Sequence, residues 1–129
     1  MIENCKGLAH IGFFVSDMER SQRFYEDTFG FKTFFESTQD DGKVQIAFLQ
    51  LNDLTFEMIS VEGLSFPADG CFQHLAIRVE NIEEAVKKLD KLGIAHEEIV
   101  HAPTMLKNGA KWCNFKGPDG EHLEFNEVL

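Results

Sequence analysis

Two histidines and two glutamates recur at matching positions in this chain, and together they are the side-chain donors a divalent metal ion takes. His10 opens a phrase that continues through Val15, Asp17 and Glu19, and His74 opens a second that continues through Val79, Asn81 and Glu83. Farther on, Glu57 follows Phe56 and Glu124 follows Leu123. The histidines are 64 positions apart and the glutamates 67. Imidazole and carboxylate donors suit zinc, nickel, iron, cobalt or manganese, and the sequence does not choose among them. Two carboxylates would balance a divalent charge and leave positions for water or substrate. Taken singly, each residue has a plainer reading. A strand histidine is more often a core or surface group, and a glutamate between apolar neighbours more often faces solvent, because burial without a partner is costly. Recurrence of both types in register is what favours a shared metal site.

The elements that must position these residues repeat as well. Residues 7–15 alternate as a strand does, with Ala9, Ile11, Phe13 and Val15 on one face and Leu8, His10, Gly12 and Phe14 on the other. Asp17 is placed to cap a helix, Ser16 and Glu19 are spaced as a capping box, and Gly30 is placed to end it. Strands are predicted at 32–37, 43–51 and 54–61, the last two joined at Asn52 and Asp53. The second copy predicts a strand at 71–79 and a helix capped by Asn81, with Glu84 in the capping-box position. That helix carries the stripe Ile82, Ala85, Val86 and Leu89, and Gly93 ends it. Strands follow near 96–101, 109–116 and 121–128, the last two joined by a turn from Gly117 to Gly120.

The fold class is therefore α+β: one domain over 1–129, made of two βαβββ modules (about 6–61 and 71–128) with a linker at 62–70. Neither module is expected to bury its sheet alone. Strand alternation turns the apolar face of each first strand to its helix and leaves His10 and His74 on the other side. If the two sheets make one curved surface, all four donors can converge in its concavity. The same alternation adds Phe14, Phe72, Ile59, Asn126 and Arg78 to that lining. The forked donors of Arg78 suit a substrate carboxylate or phosphate. His122 shares the face of Glu124. Lys107 and Lys111 could close over the site, although a solvated loop is the plainer reading. His96 and His101 have no counterpart in the repeat.

Composition narrows the partners. The chain of 129 residues is 43% apolar, contains thirteen phenylalanines and carries a net charge of −10 spread along its length. That balance disfavours nucleic acid and anionic membranes while leaving room for a small substrate met by a local cation. Cys5, Cys71 and Cys113 are odd in number and share no metal or redox spacing, so they read as reduced thiols. No secretory leader or membrane span is legible, and a cytoplasmic location is expected.

Four features resemble the vicinal oxygen chelate superfamily, and within it the glyoxalase I branch, over almost the whole chain. They are the helix phrase from Met18 through Tyr25 to Gly30 and Phe31, the histidine on each first strand, the glutamate after Phe56, and Gly117 to Gly120 ahead of Leu123 and Glu124. The resemblance implies a metal-binding cup in which His10, Glu57, His74 and Glu124 hold one divalent ion, zinc or nickel foremost. It also implies a homodimer whose cups draw on modules of both chains. The implied activity is a metal-dependent lyase or isomerase acting on a small substrate with adjacent oxygens. There the metal acts as a Lewis acid for an enediolate and a carboxylate moves the proton, Glu124 before Glu57.

Two positions depart from the pattern. Bacterial glyoxalase I carries an arginine four residues after the first histidine and an asparagine four after the first glutamate; here these are Phe14 and Val61. Both changes weaken the grip on glutathione, whereas Arg78 provides a cation in the other module. Rival readings within the resemblance are an iron-dependent ring-cleaving dioxygenase, against which the fourth ligand Glu57 counts, and an epimerase of coenzyme A thioesters. A thiol transferase acting on fosfomycin and a binder of the bleomycin-resistance kind complete the set.

Overall fold

The structure, a computed structural model, describes residues 3, 8–67 and 74–129. It divides into two compact units, Met1–Phe66 and Pro67–Leu129.

In the first unit, β1 (Ile11–Phe14) leads into α1 (Met18–Phe29), followed by β2 (Lys32–Gln39), β3 (Val44–Leu51) and β4 (Leu54–Val61). The sheet order is β1-β4-β3-β2, with β1 parallel to β4 and the remaining pairs antiparallel. Asp17 caps α1 by accepting from the Arg20 amide at 3.0 Å. The N-cap position is held by Asp17 and not by Ser16 as a capping box with Glu19 would have it; the Ser16 hydroxyl accepts from the Arg20 guanidinium at 2.7 Å. Gly30 closes the helix in the left-handed region at φ 82°, a conformation that costs other residues a Cβ clash. The buried face of α1 is aromatic: the Tyr25 ring lies 5.1–5.9 Å from Phe13, Phe24, Phe29, Phe31 and Phe56. Phe56, Met58, Ala47 and Leu49 complete this core.

The second unit repeats the plan with β5 (Leu75–Arg78), α2 (Ile82–Leu92), β6 (Val100–Ala102), β7 (Ala110–Lys116) and β8 (His122–Val128), in the order β5-β8-β7-β6. Asn81 caps α2 through the Glu84 amide at 2.9 Å, and Gly93 ends it. Ile82, Val86 and Leu89 are buried on α2, which packs on β7 and β8. The turn at Gly117 is closed by the Gly120 amide donating to the Gly117 carbonyl at 3.0 Å.

Three strands are shorter than their alternation predicts. β1 pairs from Phe56 onward, two residues past the start of β4, so little strand remains for the residues before Ile11 to pair with. His10 and His74 therefore stand just ahead of β1 and β5. Of the strand expected at 71–79, residues 71–73 lie outside the described residues. The strand expected at 96–101 meets β7 in two places, first as a bridge from His96 to Phe115 and then as β6 from Val100, with an interruption between. No described helix is long and apolar enough to cross a membrane.

Candidate metal and substrate site

Parallel pairing of the first and last strands carries each glutamate to its histidine. In the first unit Gly12 is the β1 partner of Glu57, and His10, two residues earlier, brings Nε2 to 3.0 Å from Glu57 Oε2. In the second, Ala76 is the β5 partner of Glu124, and His74 Nε2 lies 3.9 Å from Glu124 Oε2. The two pairs are built by the same register. A methyl group at Gly12 would meet Glu57 Oε2 at 3.6 Å, an ordinary contact, and the equivalent position of the second unit is Ala76.

Both pairs lie on the face of their sheet away from the helix. Phe13, Phe56 and Met58 point to α1, and the residues between them on β1 and β4 point to the open side. The histidine side chains are 41% and 46% exposed and the glutamates 23% and 13%, so donors are reachable while the carboxylates are largely shielded. Among the described residues no three His, Cys, Asp or Glu side chains come close enough together to hold a metal ion. Each unit therefore offers two donors, one nitrogen and one oxygen.

The pairs differ in what surrounds them. Asn126, two residues along β8, donates from Nδ2 to Glu124 Oε1 at 2.9 Å. That bond occupies one carboxylate oxygen and leaves Oε2 toward His74. The corresponding residue beside Glu57 is Ile59, which has no such donor. Beside His10 stands Phe48 instead, its ring edge-on at 5.6 Å.

Of the expected lining, Arg78 is the β5 partner of Asn126, is exposed, and makes no hydrogen bond or ion pair with any described residue. Phe14 is the β1 partner of Ile59, and its exposed ring lies 5.8 Å from that of Phe66. Phe72 lies outside the described residues. Lys111 does not close over the site. It sits on the helix side of β7 and its ammonium donates to Glu83 at 2.7 Å, a bond that raises the lysine pKa and lowers that of the carboxylate. His96 is likewise committed elsewhere, with Nε2 at 2.9 Å from Asp90 and Nδ1 at 2.8 Å from the Glu97 carbonyl. These two bonds, the carbonyl's first, raise its pKa. Cys113 is buried, and burial pushes its thiol pKa up, which makes it inert. A polar cleft of about 520 Å³ lies on the α1 side of the first sheet, between Asp17, Gln22, Glu36 and Gln45, away from the histidine face.

Alternation alone did not find Phe34, Phe35 and Phe48. The signal was present as two consecutive phenylalanines in a predicted strand, where strict alternation allows only one to be buried on the helix side.

A repeated βαβββ unit with a histidine and a glutamate brought together on its open face defines the class. The model of the Glyoxalase/Bleomycin resistance protein/Dioxygenase superfamily matches residues 7–125, and the chain belongs to this family. It is 33% identical over 93% of its length to the uncharacterized protein YwbC of Bacillus subtilis, covering 96% of that protein. It is 23% identical to the lactoylglutathione lyase of Neisseria meningitidis, with 92% of this chain and 88% of the lyase covered. Among solved structures, the fosfomycin resistance protein FosX of Listeria monocytogenes, complexed with Mn(II) and sulfate, shares the fold. Its TM-score is 0.74 at 16% identity, over 97% of this chain and 94% of that one.

Proposed function

We propose that this protein is a divalent-metal-dependent lyase or isomerase of the glyoxalase I type, acting by proton transfer on a small substrate with two adjacent oxygens. The observation that carries the reading is the repeated pairing of a histidine Nε2 with a glutamate Oε2, at 3.0 Å and 3.9 Å, on the open face of each sheet. One ion held by His10, Glu57, His74 and Glu124 would have two neutral nitrogens and two carboxylates; zinc and nickel fit first, with iron, cobalt and manganese as alternatives. When bound, such an ion supplies Lewis acidity for charge that develops on the substrate oxygens.

The chain's own residues do the rest. Glu124 takes the carbon-bound proton and returns it to the neighbouring carbon: Asn126 holds its Oε1 at 2.9 Å, which fixes the direction of the second oxygen. Glu57, without that amide, is the second choice for the same role. Arg78, unpaired among described residues and beside Asn126 in the ladder, anchors an anionic end of the substrate. Phe14, Ile59 and Phe72 supply apolar lining. Phe14 and Val61 stand where a glutathione enzyme would be polar, so the preferred substrate is not the glutathione hemithioacetal. The working form is a homodimer in the cytoplasm.

The primary test is metal content of protein purified without added metal, followed by titration with nickel, zinc and manganese. Binding of one ion per site is expected, and no binding at micromolar excess would overturn the enzyme reading. Glu124→Gln is expected to lower turnover by about 10²–10⁴ while reducing metal affinity much less. Equal loss of both would remove it as a distinct base. Turnover of the methylglyoxal–glutathione hemithioacetal should be weak. A second reading, a metal-free binder of the bleomycin-resistance kind, is favoured by the exposed aromatic rings of the first unit, and the same titration separates it.

A further inference from the structure

Phe34 and Phe35 are adjacent in sequence, yet both rings lie on the open face of the first sheet. Each ring centroid is 6.0 Å from that of Phe48, which is the β3 partner of Glu57. A regular strand would send one of the two phenylalanines to the helix side. The β2–β3 register instead shifts between Thr33 and Phe35, so that Thr33 opposes Leu49 and Phe35 opposes Phe48, with Phe34 as the extra residue.

The shift is held from the helix. Gln22 Nε2 donates to Thr33 Oγ1 at 3.3 Å and to Glu36 Oε1 at 2.8 Å, and Thr33 Oγ1 donates to Glu26 Oε1 at 2.7 Å. Thr33 and Glu36 are thereby both tied to α1, and the two residues between them turn to the other face. The result is two phenylalanines 59% and 53% exposed, an arrangement that folding alone does not favour. The cluster is also continuous with the donor pair, since Phe48 stands edge-on to His10 at 5.6 Å.

We propose that Phe34 and Phe35, backed by Phe48, form the subsite for a flat apolar group, aromatic in the best case, on the substrate that the His10–Glu57 pair engages. The inference rests on the proposed function and adds the substrate class: an aryl-bearing molecule with vicinal oxygens. The occupant is the substrate because Phe48, against which both rings stand, abuts a donor histidine, and because Phe14, on β1 of the same sheet, removes a polar grip. A ring cluster serving only as scaffold would need no contact with His10.

The test compares benzohydroxamate with acetohydroxamate, two chelators that differ in phenyl against methyl, on the full-length nickel-loaded protein. Benzohydroxamate is expected to bind on the order of tenfold more tightly, from the extra apolar area it buries. The double variant Phe34→Ala/Phe35→Ala should bring the ratio close to one with acetohydroxamate binding unchanged, and Phe34→Leu/Phe35→Leu should fall between. A ratio unaffected by the double alanine variant would overturn the proposal. So would a fall in sedimentation coefficient caused by that variant, which would mean that a second copy covers the rings. If neither hydroxamate binds with metal present, the metal reading fails separately. The subsite is then read in metal-free protein by NMR, where benzohydroxamate should shift the Phe34, Phe35 and Phe48 ring resonances, and no shift would overturn it.

Discussion

At the scale of single residues, the two histidine–glutamate pairs show how a repeated motif becomes asymmetric. His10 meets its glutamate at hydrogen-bond distance, whereas Glu124 is turned by Asn126 and stands 3.9 Å from His74. Asn126→Leu is therefore expected to lower kcat with little change in KM, and to leave the folding midpoint nearly unmoved. Arg78→Ala should act the other way. An exposed guanidinium with no described partner contributes little to folding, so its loss should raise KM for an anionic substrate by about tenfold to a hundredfold with stability unchanged. His96 gives the residue-scale pH dependence. Its folded pKa is raised by the Glu97 carbonyl and Asp90, so its contribution to stability is full below about 6.5 and is lost as pH rises through the folded value. Denaturation midpoints of wild type and His96→Asn should differ at pH 6 and converge at pH 9.

At the scale of elements, caps and strand pairing were legible from sequence because they depend on neighbours in the chain. Asp17, Gly30, Asn81 and Gly93 sit where their chemistry places them. Two features were not legible. The register shift in β2 depends on Gln22 and Glu26, which lie 11 and 7 positions before Thr33 and reach it only once the helix packs. The side of β7 on which Lys111 falls depends on the register with β8, which brings it opposite Glu127. Helix α1 also carries a cost: Ser21 is fully buried and its hydroxyl has no hydrogen-bond partner among the described residues. Ser21→Ala should raise stability by about 0.5–1 kcal/mol, from better helix propensity and removal of an unsatisfied group, measured by urea denaturation. Asp17→Ala should lower it by about 1 kcal/mol.

At the scale of the whole molecule, a shared ion would couple folding to metal. Nickel or zinc at a hundred times its dissociation constant should stabilise the protein by about 2.7 kcal/mol, seen as a concentration-dependent rise in melting temperature that Glu57→Gln weakens. An unchanged melting temperature would count against the shared site. The sequence by itself determined the repeat, the four donor types, the α+β class and the family, because periodicity, caps and turn residues act through local geometry. Tertiary structure alone decided that Glu124 is clamped by Asn126, that Lys111 belongs to Glu83, and that Phe34 and Phe35 share one face. The last two of those outcomes turn on strand register or helix docking, and the first on how two neighbours on one face of β8 orient their side chains. A shift of one residue exchanges the two faces of a strand without changing any letter of the sequence.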